Sequence, residues 1–507
     1  MTPWMWIGVF LVASGLLGLG ARLYLRHLAA QKNEAGIAVS MGARTTQIGS
    51  LVGRNLFGRL RLRIRQIFAS HEQKKKLADQ YHMQSAAEAA QALGNMKGVF
   101  MKLGQILSFA SDAIPENARQ VLQQLQKDAP PMAFPLARGV VESELGGDLG
   151  KFFKHFDEEP LAAASIGQVH KAQLRDGTQV AVKVQYPGVD VAIENDLKAS
   201  DRMALVLGAV NPATDFKSVV RELRDRMLDE LDYRQELRNQ QLFLDLWKGH
   251  PFIRIPRVFP EFSAKRVLCQ EFKRGLGFYD FLKQANPKER LLASYVIGDF
   301  VFDSMFRYLV YNGDPHPGNY IFHEDGGVSF LDFGCIKYFE HQFMHDLIIF
   351  YRAIIEGKKE TFYQYGEKLL LVLPGRPYEK DFMWEVWHYN LEPYSTRGGF
   401  TFTPEWVAKA RQIMDPVKMR QFNLPADMLF FLRITFGLNS ISQQLGAAGN
   451  FYQAARRYFY VEENNPPALT TLGVKLDPRF MEAAQRPARR ADALQPSVTG
   501  EPPRAAY

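Results

Sequence analysis

The sequence predicts an α+β chain in two lobes, a small sheet-based lobe followed by a mainly helical one. Apolar residues recur at helical spacing on both sides of a stretch of short, strand-like runs. That stretch holds a hairpin signal, Asp176-Gly177 between two alternating segments. After Phe339 the pattern is helical almost continuously to about Tyr460. Of the 507 residues, 47% are hydrophobic and 23% charged, which excludes a mostly disordered or fibrous chain. Two cysteines exclude a disulfide framework and a four-cysteine zinc site, and a reducing compartment is the simplest reading.

Pro3 to Ala21 runs 19 residues without a charge. At about 1.5 Å per residue this is roughly 28 Å of helix, enough to cross a bilayer core. Trp4 and Trp6 sit at one end as interfacial anchors, and Arg22, Arg26 and Lys32 at the other, which places the remainder in the cytosol. Residues 1–25 are therefore expected to be an uncleaved single-pass anchor, in a bacterial inner membrane. Arg22 to Lys76 carries twelve Lys/Arg against two acids, a local +10 in a chain of net +8, so the rest carries −2. That distribution argues against a basic groove for nucleic acid. It predicts a juxtamembrane arm over 26–78 drawn to anionic lipid, at about 1 kcal/mol per charge.

Residues 79–150 read as a helical extension, broken at Asp128–Met132. The small lobe, 151–275, opens with the hairpin Gln168–Leu174 and Gln179–Gln185. A long helix is expected over 214–247 from the spacing of Phe216, Val219, Val220, Leu223, Met227 and Leu231. Strands are expected at Arg257–Phe259 and Arg266–Phe272. The helical lobe, 276–465, starts with an apolar helix over Arg290–Tyr311. Two short strands follow, Tyr320–His323 and Val328–Leu331, around the turn Glu324–Gly327. Met428–Leu438 is too short to span a membrane and reads as a core helix. The Ala-, Pro- and Arg-rich end, 466–507, is expected to be mostly disordered.

Two segments carry chemistry. Asn312-Gly-Asp-Pro-His-Pro-Gly-Asn319 holds Asp314 and Asn319 five apart, and Leu331-Asp-Phe-Gly334 ends a predicted strand. A D-x-x-x-x-N loop and a DFG element joined by a hairpin form the magnesium-binding half of a kinase site. Asp332 would hold one metal and Asn319 a second, hard oxygen donors being what Mg²⁺ takes. Asp314 would orient or deprotonate the acceptor. Lys183, in Val180-Ala-Val-Lys183 on a predicted strand, supplies an ammonium for phosphate. Its carboxylate partner is Glu230, Asp232 or Glu236; on a continuous helix Asp229, Asp232 and Glu236 share a face, so spacing does not select one. No G-x-G-x-x-G and no G-x-x-x-x-G-K-[ST] occurs; Ala162-Ala-Ala-Ser165 stands there instead, and alanine forbids the positive φ that glycine permits. His316 is expected to fix its loop, Cys335 to be a small buried hydrophobe, and His341 and His345 to be surface residues. The fold class is then a two-lobed protein-kinase-like fold with an N-terminal helical extension and an N-terminal transmembrane helix.

Seven segments in order, Lys102-Leu-Gly-Gln105, Ala162–Ser165, Val180–Lys183, Glu230-Leu-Asp232, Glu236, Asp314 with Asn319, and Asp332-Phe-Gly334, make the sequence resemble the UbiB (AarF-type) family of atypical protein-kinase-like proteins. The resemblance covers about residues 80–340, with the helical lobe to about 450 similar. It implies ATP and Mg²⁺ as cofactors, with the nucleotide at Ala162, Ala163, Ala164, Ser165, Lys183 and Glu271. It implies a Lys183–Glu236 ion pair, Asp314 in the catalytic loop, and Asn319 and Asp332 on the metals. Lys102 and Gln105 would lie on a helix covering the cleft, with Glu230 and Asp232 facing it. The role implied is ATPase or kinase activity supporting isoprenoid-quinone biosynthesis at a membrane, with a quinone precursor or quinone-pathway enzymes as partners. Three features differ from common kinase and family patterns: Asn312-Gly313 in place of H-R, no A-P-E after the DFG, and an apolar helix at the N-terminus. A small-molecule phosphotransferase of the aminoglycoside or choline kinase type, and an ATP-binding pseudokinase scaffold, are the alternatives.

Overall fold

The computed structural model describes residues 132–481 apart from 192, 195–220, 222–223, 226, 314–315, 416–417, 424 and 464. The expected anchor, the basic arm and most of the helical extension lie outside the described residues. The chain divides into two compact units, one ending at Gly177 and including Ala181–Met203, the other comprising Thr178–Val180 and everything from Ala204.

In the first unit, α1 (Phe134–Leu145) starts on Pro135 and stops at Gly146, whose φ of 72° is the left-handed C-cap conformation. Strands β1 (Phe153–Phe156), β2 (Ala162–Ala163) and β3 (Gly167–Leu174) follow, β3 pairing antiparallel with both of the others. Strand β4 (Gln179–Gln185) neighbours β3, and Gly177 at φ 93° makes the predicted turn between them. From Val180 on, β4 is buried throughout, as its unbroken Val-Ala-Val-Lys-Val run requires.

The second unit is built on α2 (Tyr233–Leu246) and α3 (Pro287–Phe306). Its strands are β5 (Ile253–Arg254), β6 (Val267–Glu271), β7 (Leu276–Gly277), β8 (Val310–Asn312), β9 (Tyr320–Phe322), β10 (Val328–Phe330) and β11 (Ile336–Tyr338). The hairpin β9–β10 has the predicted antiparallel register, Tyr320 opposite Phe330. Its outer neighbours are β5, parallel to β10, and β7, antiparallel to β9. A second ladder joins β8 to β11, Asn312 opposite Ile336. The two motif loops are thus each held at both ends by a ladder. Beyond them come α4 (His341–Ile355), α5 (Ala426–Gln444) and α6 (Phe451–Phe459), with shorter helices between. An aromatic chain ties these parts: Phe330 stacks on Phe300 at 3.7 Å, Phe300 meets Phe243 at 5.7 Å, and Phe243 meets Phe333 at 5.0 Å.

Four expectations need correction. The helix over 214–247 is not continuous: it breaks at Leu231–Asp232, where Asp232 (φ −123°, ψ 96°) caps α2 by accepting from Arg234 N at 3.0 Å. Aspartate gains more from an orphan helix N–H than from staying inside a helix. Asp229, Asp232 and Glu236 therefore do not share a helical face. Arg257–Phe259 is no strand; Val258 makes only a bridge to Gln270. The helix expected over Arg290–Tyr311 starts earlier and stops at Phe306, its start fixed by the Asn286–Glu289 capping box. The chain then turns at Leu309, φ 54°, into β8. The expected disordered tail is folded as far as Met481, with Leu469 0% and Phe480 1% exposed. Met428–Leu438 does lie in a core helix, and among the described residues no helix is long and apolar enough to cross a membrane.

Phe480 packs edge-on against His250, whose Nδ1 accepts from Ile253 N at 2.9 Å. Burial, with the charge of Arg479 adding, pushes the imidazole down to about 3. The unfolded chain takes up this proton near pH 6.5 and the folded one does not, so stability is lost as pH falls from 6.5 toward 3. The expected slope is at most about 1.4 kcal/mol per pH unit. Urea midpoints between pH 6.5 and 4 should fall more steeply in the natural protein than in His250→Gln.

Candidate active site

The Asp332-Phe-Gly334 turn is held largely by side chains. Its carbonyls meet three carboxamides in succession: Leu331 O accepts from Gln270 Nε2 (3.4 Å), Asp332 O from Asn312 Nδ2 (2.5 Å) and Phe333 O from Asn239 Nδ2 (3.1 Å). Its amides are also engaged. Leu331 N donates to Asn319 O at 3.0 Å, Phe333 N to Glu236 Oε1 at 3.5 Å, and Gly334 N to Asp332 Oδ1 at 3.0 Å. Buried backbone polar groups must find partners, and this turn with its entry residue Leu331 finds five of them in side chains, with Leu331 N on the neighbouring loop.

Glu236 belongs to α2 and is 4% exposed. A Cβ on Gly334 would stand 3.4 Å from both Glu236 Oε2 and Asp332 Oδ1, so two carboxylates converge on one glycine. Of the three candidate carboxylates, Glu236 bonds to the DFG turn, at Phe333 N. Asp232 is committed to Arg234, 2.7 Å away, which outweighs burial and holds its carboxyl below the usual range. Glu230 is buried, 6% exposed, on the helical turn before the break.

Asn319 ends the 3₁₀ turn Pro317–Asn319, where His316 Nδ1 caps the turn by accepting from Gly318 N at 3.0 Å. His316 therefore fixes the loop, as expected. Asn319 and Asp332 are both half-buried, oxygen-bearing, and linked through the Leu331–Asn319 bond. That donor chemistry suits a hard divalent cation. Cys335 is 4% exposed, and its carbonyl takes Gly313 N at 2.6 Å, closing the base of both loops. Glu271 is committed elsewhere in its unit, to Lys273 Nζ at 2.7 Å and Arg257 N at 3.1 Å.

In the first unit Lys183 is 7% exposed on β4, a costly position for an ammonium unless it is paired. Ala162 and Ala163 are exposed on β2, with Ala164 and Ser165 half-buried. Gly167 clamps this loop to the lysine strand: a Cβ there would overlap Val184 O, and Tyr186 N donates to Ile166 O at 3.0 Å. Lys102, Gln105 and Asp314 lie outside the described residues. His341 and His345 open α4; His345 is 65% exposed beside Asp346, and the described residues contain no cluster of three metal-ligating side chains.

The carboxamides were missed at the sequence level. A signal existed: Glu236, Asn239, Gln240 and Phe243 recur at helical spacing on the buried side of α2, so polar residues occupy a core stripe. Gln240 extends the clamp, donating to Pro256 O at 2.8 Å and Gln270 Oε1 at 2.7 Å.

The family profile described as the ABC1 atypical kinase-like domain matches residues 124–366. AarF domain-containing protein kinase 1 of Xenopus laevis is 29% identical over 415 residues, covering 79% of this chain and 77% of that one. The Xenopus tropicalis protein of the same name is matched over 60% of its length. Protein ACTIVITY OF BC1 COMPLEX KINASE 8, chloroplastic, of Arabidopsis thaliana is 31% identical over 278 residues, 53% of this chain and 35% of that protein. Among solved structures, the complex of Rv3197 with erythromycin from Mycobacterium tuberculosis superposes with a TM-score of 0.56 at 32% identity, covering 76% of this chain and 98% of that one. The kinase-like α+β class is thereby established.

Asn239→Leu keeps the branched heavy-atom skeleton but strands the buried Phe333 carbonyl, at a cost of about 1–3 kcal/mol. Urea denaturation should show that loss, while Gln241→Leu on the outer side of the same helix should stay within about 0.5 kcal/mol of the natural protein.

Proposed function

As the chain belongs to the UbiB/AarF family of atypical kinases, we propose that it binds Mg-ATP and transfers or hydrolyses the terminal phosphoryl group at a membrane. The observation that carries this reading is the side-chain-clamped DFG turn, with Asp332 and the buried Glu236 converging on Gly334 and with Asn319 linked to Leu331. Asn319 and Asp332 would hold the magnesium. The ion, when bound, would neutralise charge on the phosphates. Asp314 orients the attacking hydroxyl or water. Lys183 supplies positive charge to the phosphates, and its expected pairing with Glu236 is part of this proposal. Ala162–Ser165 lines the phosphates with small side chains, and Lys102, Gln105, Glu230 and Asp232 form the expected cover. Pro3–Ala21 and the basic arm supply the membrane attachment, and support of isoprenoid-quinone synthesis is the role proposed there.

A second reading is favoured by the solved relative that carries erythromycin: phosphoryl transfer to a small hydroxylated molecule. Labelled phosphate transfer from ATP to erythromycin separates it from hydrolysis.

Full-length protein on vesicles containing anionic lipid should hydrolyse Mg-ATP faster than on neutral vesicles. Asp332→Asn should lower the rate by about 100-fold or more, the usual scale for losing a principal electrostatic stabiliser. Equal rates for the two proteins would defeat the proposal.

A further inference from the structure

A cavity lies within the helical part of the second unit, among α3, α5, α6 and the segment around Ala468. It has about 40 Å³ of free space. One water takes about 10–15 Å³ on that scale, so it accepts roughly three or four water-sized groups. Its walls are mostly aromatic and apolar, including Tyr295, Phe302, Tyr351, Tyr394 and Phe451, with Ser294, Thr435 and Ser442 among them. Asp299 of α3 lines the same space.

Asp299 is 5% exposed, and its Oδ2 has no hydrogen-bond partner. Oδ1 accepts from Tyr458 Oη at 3.2 Å, and the Leu469 N–H lies near the carboxyl. One turn further along α3, Asp303 holds the guanidinium of Arg457 at 3.3 Å. Two acids thus share one arginine, and Arg457 is committed to Asp303 and to Phe480 O at 2.8 Å. Burial, with repulsion from Asp303, pushes Asp299 up to about 7. The tyrosines are kept neutral by the same burial, so Asp299 is the acid of the cavity wall.

We propose that this cavity is a binding site for a small organic ammonium ion, held by Asp299 Oδ2 and enclosed by aromatic faces. A cation answers both features. It supplies the donor that Oδ2 lacks and would hold Asp299 in the charged form that burial disfavours. Aromatic faces attract an ammonium through their quadrupoles, most strongly where water is excluded. Four heavy atoms fill the space, which sets the size class at a short alkylamine or the end of a longer one. Nothing in this site depends on the phosphate chemistry proposed above.

The test compares propylammonium with 1-propanol, which matches it in size and also donates a hydrogen bond, by ligand-observed NMR on the full-length protein. The natural protein should bind propylammonium at least fivefold more tightly. Asp299→Asn should bring that ratio to about one. Ala454→Leu, which fills the cavity and leaves Asp299 in place, should abolish binding of both and decides the matter should Asp299→Asn fail to fold. Equal binding of the two probes by the natural protein, tighter binding of the alcohol, or propylammonium binding that survives Ala454→Leu would each overturn the proposal.

Discussion

The second unit depends on how one turn of backbone is held. Glu236 reaches from α2 to the Phe333 amide, and Asn239, one helical turn on, takes the Phe333 carbonyl. A buried carboxylate is expensive, and its removal from water is tolerated only where polar partners are fixed in advance. Here they are fixed by a helix that begins where it must. Asp232 caps α2, so the register of Glu236, Asn239 and Gln240 is set from a defined first residue. A cap contributes about 1 kcal/mol to stability. Its larger consequence is positional, because a helix started one residue later would turn these side chains by about 100°.

The apolar side of the same helix adds rigidity. Phe243 lies two turns beyond Glu236 and packs on Phe333 and Phe300. The DFG phenylalanine is thus buried by the helix that bonds its amide. Polar and apolar contacts fix the same residue from one element, and ladders β8–β11 and β9–β10 fix the chain on either side. What is left half-exposed is the pair Asn319 and Asp332, the groups that need access to solvent for any ligand.

Much of this was legible because turns and loop motifs are local. Asp176-Gly177 and Glu324–Gly327 announce their hairpins, and the spacing from Asn312 to Asn319 announces its loop. The break at Leu231–Asp232 was not legible, since the apolar spacing from Phe216 to Leu231 is consistent with one long helix and a cap aspartate looks like any surface acid. Strands of two residues such as Ile253–Arg254 carry no periodicity and exist only because β10 pairs with them. The carboxamide clamp escaped notice because Asn239 and Gln240, Gln270, and Asn312 come from three segments far apart in sequence that meet only on folding. Asp299 stands as a charge within an apolar helical run, but the missing partner of its Oδ2 is a fact of packing and not of pattern.

The central claim is that Asp332 and its bonded neighbours form a metal-dependent nucleotide site, and equilibrium ATP binding measured with and without magnesium tests it most directly. The account predicts that magnesium tightens ATP binding by the natural protein, and that Asp332→Asn loses this gain while unfolding at a similar urea concentration. Undiminished magnesium-dependent affinity in a folded Asp332→Asn protein would contradict it.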